Sequence, residues 1–317
     1  MPLSPATRPT FYFIGVTTGK SSIVTVFPEW AAYLGLGDVA MVGIDLVPDA
    51  PPEAYRAVVA FLKDDPLSLG ALVTTHKLDL FAACEDLFDT VDPHAALMAE
   101  TSCLSKRDGK LICHAKDPVS SGLALDGFLP ATHFARTGAE VLSIGAGGSS
   151  IALTWHLIRP SRGADRPARI VVTDPDQGRL DHIRAIHDRV GSGVPRDYVR
   201  VEAGDANDRI LSTLPAGSLV VNATGMGKDT PGSPLTPAAR FPERGIVWEL
   251  NYRGSLVFLE QARAQEAARA LRIEDGWTYF IHGWTQVIGE VFDVEIPTTG
   301  PRFDALSRIA AETTGRA

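Results

Sequence analysis

One stretch limits the fold of this chain more than any other: Val141-Leu142-Ser143-Ile144, then Gly145-Ala146-Gly147-Gly148-Ser149-Ser150, then Ile151 to His156. The apolar run reads as a buried strand, and the pattern after the glycines reads as an amphipathic helix. Strand, Gly-rich turn and helix, in that order, are the context in which a dinucleotide pyrophosphate is held. Gly145 permits the tight turn, and Gly147 takes a Cβ out of the path of the phosphates. The amides of Gly148 and Ser149 open the helix at the positive end of its dipole, where anions bind. The third position of this fingerprint is Ser150, small enough to fill a glycine's place. A second apolar strand, Ile170 to Asp174, ends in a carboxylate that lies farther along than the usual spacing of roughly 20 residues. The Pro-, Arg- and Gly-rich segment Arg159 to Arg169 accounts for the difference as a lengthened surface loop. A carboxylate there accepts hydrogen bonds from free ribose hydroxyls and repels a 2′-phosphate. The expected cofactor is therefore NAD, with NADP less favoured, although Arg179 is near enough in sequence to soften the repulsion.

Composition narrows the rest. The chain has 317 residues, enough for two domains. A net charge of -8 without any basic run argues against a nucleic-acid partner. Cys84, Cys103 and Cys113 show neither metal spacing nor an even-numbered framework, so no metal is expected, the cytoplasm is the expected compartment, and small core fillers are the expected role for Cys103 and Cys113. No apolar stretch approaches the roughly 20 residues of a membrane span, and the opening residues lack the apolar core of a signal peptide. The expected partner is a small molecule, with a homodimer compatible.

Strand-like and helix-like patterns alternate along the whole chain, which predicts an α/β protein. Strands are expected at Phe11–Val16, Val39–Val47, Leu69–Val73, Ser102–Ser105 and Lys110–Cys113, then at Val141–Ile144, Ile170–Asp174, Tyr198–Val201, Leu219–Asn222 and Ile246–Leu250. Helices are expected between them, including Ile23–Leu36 despite Pro28, Leu78–Phe88, and one continuous Ala-rich helix over Phe258–Leu271. The strand Leu69–Val73 delivers Thr74-Thr75-His76-Lys77 at its carboxyl end.

Several of these pieces together resemble the shikimate/quinate dehydrogenase family. Gly145-Ala146-Gly147-Gly148 resembles its Gly-x-Gly-Gly fingerprint, and Asn222-Ala223-Thr224-Gly225-Met226 its Asn-Ala-Thr-Gly-Met turn. Thr75-His76-Lys77 stands where the family has Pro-His-Lys. Gly109-Lys110-Leu111-Ile112 leads to Ala115-Lys116-Asp117, where the family has Asn-Thr-Asp. Tyr252 precedes an Ala-rich helix, and Asp275-Gly276 precedes the helix that carries a substrate-binding Gln. The resemblance runs from about Gly15 to Phe292.

It implies a two-domain α/β enzyme with its active cleft between the domains. Residues 1–122 would form the substrate domain, 123–274 a Rossmann-type NAD-binding domain, and 275–317 helices that pack back on the first. It implies Lys77 and Asp117 as the catalytic pair and Ser21, Ser102, Tyr252 and Gln286 as substrate contacts. Gly145, Gly147, Gly148, Ser149, Asp174, Asn222, Thr224, Gly225 and Met226 would contact the cofactor. The implied reaction moves a hydride between nicotinamide and a secondary alcohol of a small hydroxylated ring acid. For Lys77 to act as the base, burial must lower its pKa; a paired Asp117 opposes that shift and would orient alcohol and amine.

Departures from the family pattern fall on the substrate cradle. Ser21-Ser22-Ile23 keeps only the first hydroxyl of a Ser-x-Ser pair, and Asn-Val-Thr becomes Ala71-Leu72-Val73. Ser102 and Ala115 replace two Asn, and the Gln near the C-terminus falls anywhere between Gly283 and Gln286. New polar groups, Lys20, Glu100, His114 and Lys116, appear in the same segments, and the cationic ones favour an acidic substrate. Plainer roles stay open: Lys77 as a surface lysine, Asp117 as a helix cap before Pro118, Asn222 and Thr224 as turn closers, and Trp277, Tyr279, Phe280 and Trp284 as core. The other functional reading is a regulator that binds the cofactor without turnover; a folate-linked or amino-acid dehydrogenase fits the Lys77/Asp117 placement less well.

Overall fold

The structure, a computed structural model, describes residues 3–202, 205–228 and 230–316. The chain is a two-domain α/β protein: one compact unit comprises residues 1–120 with 281–317, the other residues 121–280.

The first unit is built on a six-stranded sheet of β1 (Thr10–Gly15), β2 (Ala40–Asp45), β3 (Ser68–Val73), β4 (Thr90–Val91), β5 (Cys103–Arg107) and β6 (Lys110–His114), in the order β2-β1-β3-β5-β6-β4. Strand β1 runs parallel to β2 and β3, whereas β5 is antiparallel to both of its neighbours. Every residue of β1 is buried, as a strand covered on both faces requires. The β5–β6 hairpin turns through Asp108 and Gly109, both at positive φ, the pairing that a two-residue hairpin turn favours. Beneath the sheet, Tyr12, Ile14, Val59, Leu80, Leu104 and Cys113 share one core. The late segment belongs to this unit. Trp284 lies 4.9 Å from Phe13 between ring centroids, and Trp30 Nε1 donates to the Leu306 carbonyl at 2.9 Å. Pro28 sits inside the helix Ile23–Leu34 without ending it.

The second unit holds six parallel strands: β7 (Val141–Ile144), β8 (Ile170–Asp174), β9 (Arg196–Arg200), β10 (Leu219–Asn222), β11 (Ile246–Glu249) and β12 (Arg272–Glu274). Their order, β12-β11-β10-β7-β8-β9, is that of a Rossmann sheet, with the order reversing between β7 and β10. Ligands of such sheets bind outside the carboxyl ends of the strands at that reversal. The expected helix over Phe258–Leu271 is instead two, Val257–Arg263 and Glu266–Arg269, parted at Ala264–Gln265. The Gln265 amide group explains the break: it donates to Ala239 O at 2.9 Å, and its oxygen accepts from the Phe241 amide.

Among the described residues, no helix is long and apolar enough to cross a membrane, and no group of three or more His, Cys, Asp and Glu could hold a metal ion. The three cysteines are free and buried, and burial pushes the Cys113 thiol up to about 12.

Candidate active site and cofactor-binding turn

Strand β3 ends at Val73, and the chain reaches its next helix, Lys77–Cys84, through Thr75 at positive φ. That turn fixes His76 inside the unit: Tyr55 Oη lies 3.1 Å from Nδ1, and the Leu46 carbonyl 3.1 Å from Nε2. The carbonyl needs a donor, so Nε2 carries the proton and Nδ1 accepts from the phenol. His76 is thereby occupied as a structural residue, and Lys77 stands one position on. Its ammonium forms an ion pair with Asp117, the first residue of the helix Asp117–Phe128. Both side chains are largely buried. Burial is the largest single influence on Lys77 and lowers its pKa, but the Asp117 and Glu100 carboxylates together outweigh it, and the net shift is upward. The compromise expected between burial and a paired carboxylate thus falls on the raised side, because Glu100 adds to Asp117.

Around this pair the first unit places the other expected substrate contacts unevenly. Ser102 is buried, and its Oγ accepts the Lys116 amide at 2.7 Å, so it fixes the approach to Asp117. Ser21 follows the short turn Thr18–Lys20, which is pinned by Thr18 donating to Asp45 Oδ1 at 2.6 Å. Gln286 lies on the helix Trp277–Phe292, four residues before Glu290 and so on the same face.

Glu290 was not anticipated, and it changes the charge balance. Lys116 Nζ lies 2.5 Å from Glu290 Oε2. His114 is held between Asp92 at 3.3 Å and Ser105 at 2.8 Å, with Glu290 Oε1 at 3.6 Å. Burial raises the Glu290 carboxyl, yet Lys116, His114 and Arg107 outweigh it and hold it below its ordinary value. Of Lys20, His114 and Lys116, the basic residues expected to draw an acidic substrate, His114 and Lys116 are therefore already engaged with internal carboxylates, whereas Lys20 is exposed.

In the second unit the turn after β7 has the shape its glycines suggested. Gly145 has φ +103°, and a Cβ there would stand 2.8 Å from the Ala223 carbonyl oxygen. A Cβ on Gly147 would meet nothing within 4 Å, so the backbone is open to an approaching ligand. The helix Gly148–Ile158 begins directly after it. Ser150, in the third glycine's place, is buried with Oγ 2.7 Å from Ser143 Oγ, a bond that ties helix to strand. Tyr279 Oη donates to Ser149 Oγ at 3.3 Å. Asp174, at the end of β8, accepts the Ala146 amide at 2.8 Å and the Asp176 amide at 2.9 Å. Each carboxylate oxygen keeps a second lone pair.

The turn after β10 is a closed network. Asn222 Oδ1 accepts from the Thr224 hydroxyl at 2.6 Å, and the Thr224 oxygen in turn accepts the Met226 amide at 3.2 Å. Asn222 Nδ2 donates to Glu249, and Asn251 Nδ2 donates to Glu249 and to the Thr224 carbonyl. Gly225 lies inside this turn. Asn222 and Thr224 thus close the turn through their side chains, and the Thr224 and Met226 amides and carbonyls are taken up within it. Glu249 was not anticipated; it ends an apolar strand, and burial raises its carboxyl to about 7 against the pull of its amide donors. Tyr252 packs against Phe280 with centroids 4.4 Å apart, beside the stacked Trp277–Phe280 pair.

The fold is that of a two-domain α/β protein with a six-stranded Rossmann sheet, and its first unit holds a buried lysine–aspartate pair. In structure the chain is similar to the shikimate dehydrogenase of Aquifex aeolicus, with a TM-score of 0.70 and 16% identity over 98% of this chain and 99% of the other. It is also similar to the quinate dehydrogenase of Corynebacterium glutamicum, solved with NAD, with a TM-score of 0.69 and 18% identity over 96% and 99%. In sequence, the NADP(+) shikimate dehydrogenase of Streptococcus thermophilus is 26% identical over 180 residues, 56% of this chain and 58% of that protein. The chain thus matches less than two thirds of this relative's length. No family model matches. In fold the chain is like these dehydrogenases, and in sequence it is similar to one of them over part of its length.

Proposed function

We propose that this protein is an NAD-dependent oxidoreductase of the shikimate/quinate dehydrogenase type, acting reversibly on a secondary alcohol of a small hydroxylated ring acid. One observation carries the reading: a buried lysine and aspartate, brought together from different segments, form an ion pair at the end of a strand. Surface lysines are not desolvated in this way, and a cap would not need the amine.

The second unit fits the cofactor. The open backbone at Gly147 and the helix start at Gly148–Ser149 would receive the pyrophosphate. The carboxylate of Asp174 would accept the ribose hydroxyls, and the Asn222–Met226 turn would face the nicotinamide. NAD is favoured over NADP because a 2′-phosphate would meet Asp174. When bound, the cofactor supplies the hydride chemistry.

The chain's own part is the proton. With its pKa raised, Lys77 is an ammonium at neutral pH and donates to the oxygen of a carbonyl substrate as that oxygen gains charge. In the oxidation direction the same amine receives the proton, and Asp117 steadies the resulting ammonium and aligns the alcohol. The decisive experiment is a spectrophotometric screen of cyclic hydroxy acids and polyols with NAD and NADP, with Lys77→Met as control. Turnover that survives in Lys77→Met would defeat the mechanism; cofactor binding with no turnover at all would leave a regulator.

A further inference from the structure

Among the described residues, Glu100 is fully buried, and neither of its carboxyl oxygens has a hydrogen-bond partner. Burying a carboxyl without donors is strongly unfavourable, so a group in this state calls for a partner from outside the chain. The setting identifies the partner's chemistry. The amide of Thr101, the next residue, donates to the Lys77 carbonyl at 3.1 Å. The Glu100 charge acts on both Lys77 and Asp117. Lys77 is paired with Asp117, so the nearby cation leaves both Glu100 oxygens unfilled.

We propose that Glu100 is a specificity-determining residue that receives a hydrogen-bond donor of the substrate, a ring hydroxyl or ring amine next to the reacting carbon. The inference rests on the oxidoreductase reading and names its substrate class: a polyhydroxylated or amino-substituted ring, with any carboxylate of its own held away from this position. A hydroxyl suits Glu100 in either protonation state, since it donates to a carboxylate and accepts from a carboxylic acid. A substrate anion here would meet the Asp117 carboxylate, whose charge already balances the single Lys77 ammonium. Lys116 and His114 are held by Glu290 and Asp92 and bring no further positive charge.

The test is a kinetic cycle between residue and ligand. Wild type, Glu100→Gln and Glu100→Ala are assayed with quinate, shikimate, myo-inositol and an aminocyclitol. Each is paired with the analogue lacking the hydroxyl or amine next to the reacting carbon. Wild-type turnover of any of these tests the oxidoreductase reading by itself, and none at all ends that reading and the proposal together. Given turnover, Glu100→Ala should lower kcat/KM for the best parent compound at least about tenfold, chiefly through KM, and leave its deoxy analogue nearly unaffected. Glu100→Gln keeps the side chain's shape and one acceptor, so it guards against misfolding; it should recover part of the loss for a hydroxyl and less of it for an ammonium, which also loses the charge of the carboxylate. Equal losses on parent and analogue in both variants overturn the proposal and leave the oxidoreductase reading standing.

Discussion

Asn222 Nδ2 donates to Glu249 Oε2 at 2.7 Å, so the turn after β10 is anchored on a buried carboxyl supplied by the neighbouring strand. Glu249→Ala would take one of several acceptors from the Asn222 and Asn251 side-chain amides and leave the Asn251 backbone amide without its acceptor, at roughly 1–3 kcal/mol for that unpaired group. We expect a lower melting temperature and at least about a tenfold weaker NAD affinity, since the turn's backbone loses its support. Calorimetric titration checks this. An NAD affinity within twofold of wild type would separate Glu249 from cofactor binding.

Under the proposed function, Asp174 governs cofactor choice. NAD should bind more tightly than NADP, and Asp174→Ala should narrow that preference at least about tenfold, mainly by weakening NAD. Because the carboxylate also accepts the Ala146 amide, some loss for both cofactors is expected. Tighter NADP binding by the wild type counts directly against the role given to this residue.

Lys77→Met should reduce turnover by about a hundredfold or more with NAD affinity unchanged, and Asp117→Asn should follow in the same direction. The raised lysine sets the pH dependence. Carbonyl reduction should hold its rate through neutral pH and fall only above the ordinary lysine range, whereas oxidation should rise with pH. A reduction rate that falls through pH 7 would show an amine with a depressed pKa.

Stability should also depend on pH through Glu100, whose carboxyl is raised to about 8, burial first and Asp117 second, against the pull of Lys77. A carboxyl raised in the folded state favours the protonated fold, so its contribution is present below the unfolded value of about 4.3 and lost as pH rises through about 8. Glu100→Gln should therefore gain stability over wild type at pH 9 and lose that advantage at pH 5. Urea unfolding at the two pH values decides it.

Shikimate itself should be a poor substrate. Ile23, Val73 and Ala115, which stand where the family pattern has polar groups, are fully buried apolar side chains. Each ring hydroxyl left unpaired costs roughly 1–3 kcal/mol. Lys116 and His114 are engaged elsewhere, which leaves Lys20 alone of the three basic residues to compensate. A kcat/KM for shikimate at or above about 10⁴ M⁻¹s⁻¹ would refute this.

The regular parts of the fold were legible where one signal is local. β7 and β8 were read from unbroken apolar runs, and the Gly145 turn from residues that tolerate its backbone. Lys77 and Asp117 were legible only together, through the order of motifs along the chain, because no local pattern joins them. Glu290 was not legible at all: its partner Lys116 lies far away in sequence, and a glutamate on a helix looks like a solvated one. Glu249 carries a local signal, an acid closing a strand whose other residues are apolar. The break at Ala264–Gln265 was hidden because Ala-rich sequence favours a helix on either side, and only the contacts of Gln265 with Ala239 and Phe241 interrupt it.

The first unit draws on both ends of the described chain, with Trp284, Phe292 and Leu306 completing the packing begun by Phe11 and Trp30. During synthesis, residues 121–280 are therefore made in one uninterrupted stretch, whereas the sheet that carries Lys77 waits for its last aromatic partners until the helix ending at Phe292 has left the ribosome. A nascent chain stalled before that point would expose the Phe11 and Phe13 side chains. The second unit can be expected to fold first, and a fragment of residues 121–280 to be the piece that survives being made alone.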